Sequence, residues 1–293
     1  MKDVSIIIVN YHTEDLIKNL LDSVYAQTEG ISFEIIVVDN APGKKLPASW
    51  SIYADKITYL PLVENVGFGR ANNAGLELAT GRNVFFLNPD TLLKGNPIKC
   101  LSDYLDAHPK VGVCGGNLYD EAGCPTHSYM PLLPSPLWEL NDLLGGLIFK
   151  LRWGKNFQFN YTQQPMKVGY ITGADMMVRK SVLDEIGGFD PDFFMYYEET
   201  ELTYRIAQKG YASHNVPQAE VIHLEGKSID TSDKREQLKS VSRKLYYQKT
   251  SNACAYWWAN TLQRINCWCR IAAFAMSGKS EQKVYWKTIL RNI

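Results

Sequence analysis

Two acidic stretches carry residue types suited to chemistry. Asn88-Pro89-Asp90 follows directly on the apolar run Asn83–Leu87 (NVFFL). A carboxylate held rigidly at a strand end can fix a hard divalent cation, Mg2+ or Mn2+, against phosphate oxygens. The same three residues also favour turns, so this motif alone is open to both readings. Glu198-Glu199-Thr200-Glu201 crowds three carboxylates into four positions. A carboxylate within hydrogen-bonding reach of an attacking hydroxyl can take its proton, and neighbouring carboxylates raise one another's pKa toward neutral. Acidic residues equally suit the first turn of a helix, and Glu201 stands at ion-pair spacing from Arg205.

Three further features are weaker alone. Asp39 closes the run Glu34–Val38 (EIIVV) and can accept hydrogen bonds from a ribose hydroxyl or a base N–H, or simply start a turn. The stretch from Asn65 to Gly75 (NVGFGRANNAG) has glycines that permit a tight turn and close packing of a following helix. It is neither a phosphate-binding Walker loop nor a dinucleotide fingerprint, because no Gly-Lys-Ser/Thr closes it and its glycine spacing is wrong. His223, after Val221-Ile222, suits a structural role or could complete a metal or diphosphate site.

The elements that must position these groups read as an α/β fold. Apolar runs at Val4–Val9, Glu34–Val38, 57–63 and Asn83–Leu87 alternate with helical patterns at Glu14–Gln27 and Ala71–Ala79. Continuous apolar strands separated by helices predict a mostly parallel central sheet covered on both faces. Ligands in such folds sit beyond the carboxyl ends of the strands. Asn10-Tyr11, Asp39-Asn40 and Asn88-Pro89-Asp90 all stand at such ends, so one crevice is expected to collect them. A helix over 97–107, a strand over Val111–Cys114 and a helix start at Ser181 follow. Residues 120–165 are rich in Pro, Gly and aromatics and are expected to form a long excursion over the crevice.

Bulk properties narrow the classes. The 293 residues are long enough for a substantial core, and 31 Lys and Arg balance 31 Asp and Glu, which leaves no bulk charge to recruit nucleic acid. The six cysteines form no C-x-x-C pair, which argues for free thiols over a zinc site or a disulfide framework. Val4–Val9 is far shorter than a signal peptide's apolar core, and no run approaches the roughly 20 apolar residues of a spanning helix. A cytoplasmic protein is expected. In the C-terminal part, Cys254, Trp258, Leu262, Ile265, Cys269 and Ala272 recur at helical spacing, with Asn260, Gln263, Arg264 and Arg270 largely opposite. With Trp257 and Trp268 this amphipathic helix could seat on a membrane face, or pack on the catalytic domain or a second subunit; a homodimer stays open.

In order along the chain, VSIIIVNYHT, EIIVVDN, ENVGFGRANNAGL, FFLNPDT, GYITGADMMVRKSVLDEIGGFD and FFMYYEETELTYRIAQKGY resemble the blocks of the family 2 inverting glycosyltransferases of the GT-A fold. The likeness is strongest to the rhamnosyltransferase-like branch that builds bacterial surface polysaccharides. It implies a catalytic domain over residues 1–230 and a helical extension over 231–293. It further implies a nucleotide-sugar donor, dTDP-rhamnose or a UDP-sugar, and a glycan or lipid-linked acceptor. By the resemblance, Asn10, Tyr11 and Asp39 contact the nucleotide, Asn65, Gly67, Arg70 and Asn88 belong to the same donor site, and Gly173 and Ala174 line the sugar pocket. Asp90 is the metal carboxylate, with His223 near the metal or diphosphate. Glu199 matches the base, with Glu198 beside it; many relatives have Asp at the positions of Glu199 and Glu201, so the choice among the three stays open. A sugar-phosphate nucleotidyltransferase would favour a Gly-rich loop where Asn10-Tyr11-His12-Thr13 stands. A non-catalytic sugar-nucleotide-binding module would need no acidic cluster.

Overall fold

The computed structural model describes residues 2–43, 45–224 and 232–293. The chain runs through β1 (Val4–Asn10), α1 (Glu14–Gln27), β2 (Phe33–Asp39), β3 (Thr58–Pro61), α2 (Phe68–Leu76), β4 (Asn83–Leu87), β5 (Thr91–Lys94), α3 (Pro97–Ala107), β6 (Val111–Tyr119) and β7 (Tyr129–Met130). It continues through α4 (Pro136–Leu143), α5 (Leu147–Trp153), β8 (Met166–Val168), β9 (Tyr170–Ile171), β10 (Asp175–Arg179), α6 (Lys180–Ile186), α7 (Glu198–Gln208) and β11 (Ala212–His223). Three helices end it: α8 (Ser232–Thr250), α9 (Ala253–Met276) and α10 (Ser280–Arg291).

Two compact units result. One holds the N-terminal region to Pro131, Lys155–Phe194 and the segment that begins at Glu198; the other holds Leu132–Gly154, Met195–Tyr197 and the C-terminal helices. The expected boundary between residues 230 and 231 lies outside the described residues. The expected irregular excursion over 120–165 instead contains β7, α4 and α5, and its middle part belongs to the helical unit.

In the sheet unit the strand order is β3-β2-β1-β4-β10-β6-β11-β5, with β8 on β11. The first four strands are parallel, so Asn10, Asp39, Pro61 and the residues after Leu87 arrive at one edge. Asn10 pairs in register with Asp39. β10 then enters antiparallel to β4, with Asp175 opposite Leu87, which brings the preceding Gly173-Ala174 to that same edge. The apolar strands are buried on both faces because helices cover both. Ile6, Ile8, Val37 and Phe85 meet Leu20 and Leu21 of α1 and Leu101 of α3. Ile7, Ile36, Val84 and Phe86 meet Ala71 of α2, Val182 of α6 and Leu202 of α7. Gly75 lets α2 lie close on the sheet, since a Cβ there would stand 2.7 Å from Ile7 Cγ2.

The helical unit is held differently. Glu139 of α4, Arg243 and Tyr247 of α8 are all buried. Arg243 Nε donates to Glu139 Oε1 at 3.0 Å and Tyr247 Oη donates to the same oxygen at 2.8 Å. Arg243 Nη1 and Nη2 donate to Asn260 Oδ1 and the Ala259 carbonyl of α9. Asn266 of α9 donates to Asp142. Thus α9 turns Ala259, Asn266, Cys267 and Ile271 inward. Trp257, Trp258, Ile265 and Trp268 face outward, Trp268 at 63% exposure.

Candidate active site

The site is built from strand ends upward. Asn10 and Asp39 are fully buried and joined, Asn10 Nδ2 donating to Asp39 Oδ1 at 3.1 Å. Asn10 Oδ1 accepts from Thr13 N and Oγ1. Asp39 also accepts from Ala41 N and, at 2.6 Å, from Tyr59 Oη. Both side chains therefore brace the rim of the crevice, while Tyr11 between these tied residues and α1 stays 43% exposed. Asn40 extends the rim: its Oδ1 accepts from Val66 N, and its Nδ2 donates to Asn65 Oδ1. Asn65 Oδ1 in turn accepts from Gly67 N. Gly67 has φ 88°, and a Cβ there would stand 2.4 Å from the Phe194 carbonyl. Arg70 Nε donates to the Pro191 carbonyl at 2.7 Å.

The second wall forms around Asp90. Asp90 is 4% exposed, and its Oδ1 lies 3.3 Å from His223 Nε2. The antiparallel pairing of β11 with β5 sets His223 opposite Thr91, and Leu224 N donates to the Asp90 carbonyl. Asn88 N donates to the Ala174 carbonyl at 3.0 Å, and Asn88 Oδ1 is buried without a hydrogen-bond partner among the described residues. Among the described residues no three or more His, Cys, Asp or Glu side chains are arranged so that they could hold a metal ion together. One carboxylate and one imidazole, with further positions left to phosphate oxygens and water, fit a hard divalent cation shared with a diphosphate.

The acidic run begins α7, and its three carboxylates part company there. Glu201 is committed to Arg205, whose Nε donates to both carboxylate oxygens at 2.8 and 2.9 Å. Arg205 also donates to the carbonyls of Ile186 and Gly188, so this pair fastens the turn after α6 to α7. Glu198 is buried against α2: a Cβ on Gly69 would stand 3.6 Å from Glu198 Cβ. Its Oε2 has no hydrogen-bond partner among the described residues. Glu199 is only half-buried and lies beside Gly173, its Cβ and Cγ 3.8 Å from where a Gly173 Cβ would be. Thr200 Oγ1 donates to Glu199 Oε1 at 3.2 Å. Burial pushes both the Glu198 and Glu199 carboxyls up, and the charge of Glu199 pushes Glu198 further.

Contacts thus run from Asn88, two residues before Asp90, to Ala174, and from the adjoining Gly173 to Glu199. Tyr59 and Asp175 are the residues that sequence reasoning left out. Asp175 is fully buried, accepts from Gly116 N at 2.6 Å, and burial holds its carboxyl protonated well above the usual range. A carboxylate placed before the apolar Met176-Met177-Val178 was its signal; nothing local marks Tyr59.

Residues 5–187 match the profile described as glycosyl transferase family 2. The chain belongs to this glycosyltransferase family. It is 30% identical, over 76% of its length and 66% of the relative's, to the low-salt glycan biosynthesis hexosyltransferase Agl10 of Haloferax volcanii. It is 27% identical to the N-acetylglucosaminyl-diphospho-decaprenol L-rhamnosyltransferase of Mycobacterium tuberculosis, over 74% of this chain and 75% of that one. The fold is shared with a mannosyltransferase from Pyrobaculum calidifontis solved in complex with GDP-Man and Mn2+, at a TM-score of 0.59 and 18% identity, covering 100% of this chain and 86% of that one. This glycosyltransferase is rhamnosyltransferase-like and has the GT-A fold of its structural neighbours.

Proposed function

We propose that the protein is an inverting glycosyltransferase of bacterial surface polysaccharide synthesis. It moves a sugar from a nucleoside-diphosphate donor, dTDP-rhamnose or a UDP-sugar, to a hydroxyl of a glycan or lipid-linked acceptor. The observation that supports this best is that Asn88, two residues before Asp90, is bonded to Ala174, while the adjoining Gly173 lies beside Glu199. In this reading Asp90 is the cation-binding carboxylate, Gly173 and Ala174 hold the donor sugar, and the half-buried Glu199 stands beside Gly173. The half-exposed Tyr11 is free to meet the base, while Asn10, Asp39, Asn65, Gly67 and Arg70 shape the nucleotide rim.

Asp90 and His223 would hold Mg2+ or Mn2+, which would neutralise charge developing on the leaving diphosphate. Glu199 takes the proton of the acceptor hydroxyl as it attacks the anomeric carbon, and the bond to the diphosphate breaks on the opposite face. A pKa raised by burial brings this base nearer the working pH. Glu201 shapes the site through Arg205 without touching the proton.

The lipid-linked acceptor is supported by the name of the mycobacterial relative. Peripheral seating at a membrane belongs to the same reading. Among the described residues no helix is long and apolar enough to cross a membrane. Residues 231–293 hold twelve Lys and Arg against three Asp and Glu, and α9 shows tryptophans outward, a combination that suits an anionic lipid surface. A panel of nucleotide sugars with Mn2+, read by product formation and by the anomeric configuration of the product in NMR, tests the reading. Inversion with one donor is expected; retention, or no turnover of any donor, overturns it.

A further inference from the structure

At Gly116 the seam between β6, β10 and β11 is closed by side chains. β10 lies antiparallel on β6, with Met177 opposite Cys114 and Val178 opposite Val113. Continued by two residues, that register would set Asp175 opposite Gly116, but the pairing stops at Met177. On the other flank β11 runs parallel to β6 as far as Asn215, opposite Gly115. Its register then shifts, and pairing resumes at Glu220 opposite Asn117, which leaves residues 216–219 beside the single Gly116. Both peptide groups of Gly116 are satisfied from the flanking strands. Its N–H donates to Asp175 Oδ2 at 2.6 Å, and its carbonyl accepts from Asn215 Nδ2 at 2.5 Å. A side chain at Gly116 would collide with the Ala219 carbonyl.

Asp175 is a costly residue for its place. It is fully buried ahead of the buried, apolar Met176-Met177-Val178, and its Oδ1 has no hydrogen-bond partner among the described residues. A polar side chain there is favoured over an apolar one only by a bond that the apolar one cannot make. The bond to Gly116 is such a bond, and burial keeps the carboxyl protonated and so uncharged. What it fixes lies immediately upstream. Residues 172–174 connect β9, held on β7 by the pairing of Ile171 with Tyr129, to β10. Within that connection the Ala174 carbonyl accepts from Asn88 N, and Gly173 stands beside Glu199. All of these residues belong to the sheet unit.

We propose that Asp175, by holding Gly116, is a positioning residue that sets Gly173 and Ala174 against the sugar of the donor. The inference rests on the reading in which those two residues line the sugar pocket. Asp175 touches no substrate; it acts through the backbone that precedes it. It stands where β10 parts from β6, so its loss frees the end of the connection that meets the sugar. The nucleotide rim at Asn10, Asp39 and Asn40 is braced by other bonds and does not depend on it.

The test is calorimetry on the full chain with Mn2+, comparing dTDP with dTDP-rhamnose and UDP with UDP-glucose. Asp175→Leu removes the bond to Gly116. It is expected to weaken the nucleotide sugar about tenfold while the nucleoside diphosphate binds as to wild type. Asp175→Asn keeps an oxygen for Gly116 N on a neutral side chain and is expected to restore most of the loss. Asn215→Leu opens the same seam from β11 and is expected to lower the melting temperature without the selective loss. If Asp175→Leu does not fold by circular dichroism, Asp175→Ala reads the same bond. Wild-type binding of both ligands by the Leu or Ala variant overturns the positioning role, and so does equal weakening of both. An Asp175→Asn protein as weak as Asp175→Leu, or the same selective loss in Asn215→Leu, also overturns it. A wild-type chain that binds neither nucleotide sugar would instead remove the donor reading, and the inference with it.

Discussion

The two units solve opposite problems. The sheet unit hides continuous apolar strands between helices and leaves its polar groups at the strand ends, where they gather. The helical unit buries an ion pair, Glu139 with Arg243, and turns an apolar, tryptophan-bearing stripe outward. In the first, burial makes the frame and charge makes the site. In the second, charge makes the frame and the apolar surface is left for something else to cover. The difference teaches that polar residues in the two units answer to different tests, and substitutions separate them.

The largest effect belongs to the strand ends. Asp90→Ala is expected to lower transfer on the order of 10³-fold and to abolish the metal dependence of donor binding, measured by calorimetry with and without EDTA. Its melting temperature is expected to hold if Asp90 acts on the metal, as proposed, and not in the frame. Next comes Arg243→Ala, which strands Glu139 in an apolar interior. It is expected to cost about 3–5 kcal/mol in denaturant unfolding, the penalty of an uncompensated buried charge. An unchanged midpoint would erase the contrast between the units.

Glu198→Gln gives a smaller, pH-dependent effect. The folded-state pKa of Glu198 is raised, so its contribution to stability is present at low pH and lost as pH rises through that value. Removing the charge is expected to stabilise the protein at alkaline pH and leave it unchanged at acid pH. The charge of Glu199 raises Glu198 and not the reverse, so the acidic limb of the transfer profile is expected to stay where it is. Thermal melts and rates between pH 5 and 9 read both. The smallest effect on the folded chain itself is expected from Trp257→Ser and Trp258→Ser together: no change in melting temperature, but weaker flotation with anionic vesicles. A drop in stability would mean that the stripe is covered within the protein.

Much of the sheet unit was legible because local pattern determines it. The apolar runs gave β1, β2 and β4, and the 3.6-residue spacing gave α1 and α3 with the expected bounds. The antiparallel entry of β10 was not legible, because pairing Asp175 with Leu87 joins segments far apart in the chain. Leu132–Gly154 read as irregular for a similar reason. Glu139 and Asn141 look misplaced in a short helix until Arg243 and Tyr247 supply partners for the first and Phe149 N donates to the second. In α9 the periodicity grouped Cys254, Trp258, Ile265 and Cys269 on one face, and they do share one. Periodicity does not say which face turns inward, and here Asn266 decides it through Asp142. Among the acidic residues, sequence spacing already offered Glu201 to Arg205. Only the structure shows Glu198 buried against α2 and Glu199 beside Gly173.

That last distinction is the central claim, and one measurement addresses it directly. Glu199→Gln keeps the size and the hydrogen-bond reach of the side chain and removes its basicity. Transfer to a hydroxyl acceptor is expected to fall by about 10²–10⁴-fold, while donor binding measured by calorimetry with Mn2+ stays near wild type. A Glu199→Gln protein that transfers sugar at the wild-type rate would contradict the account.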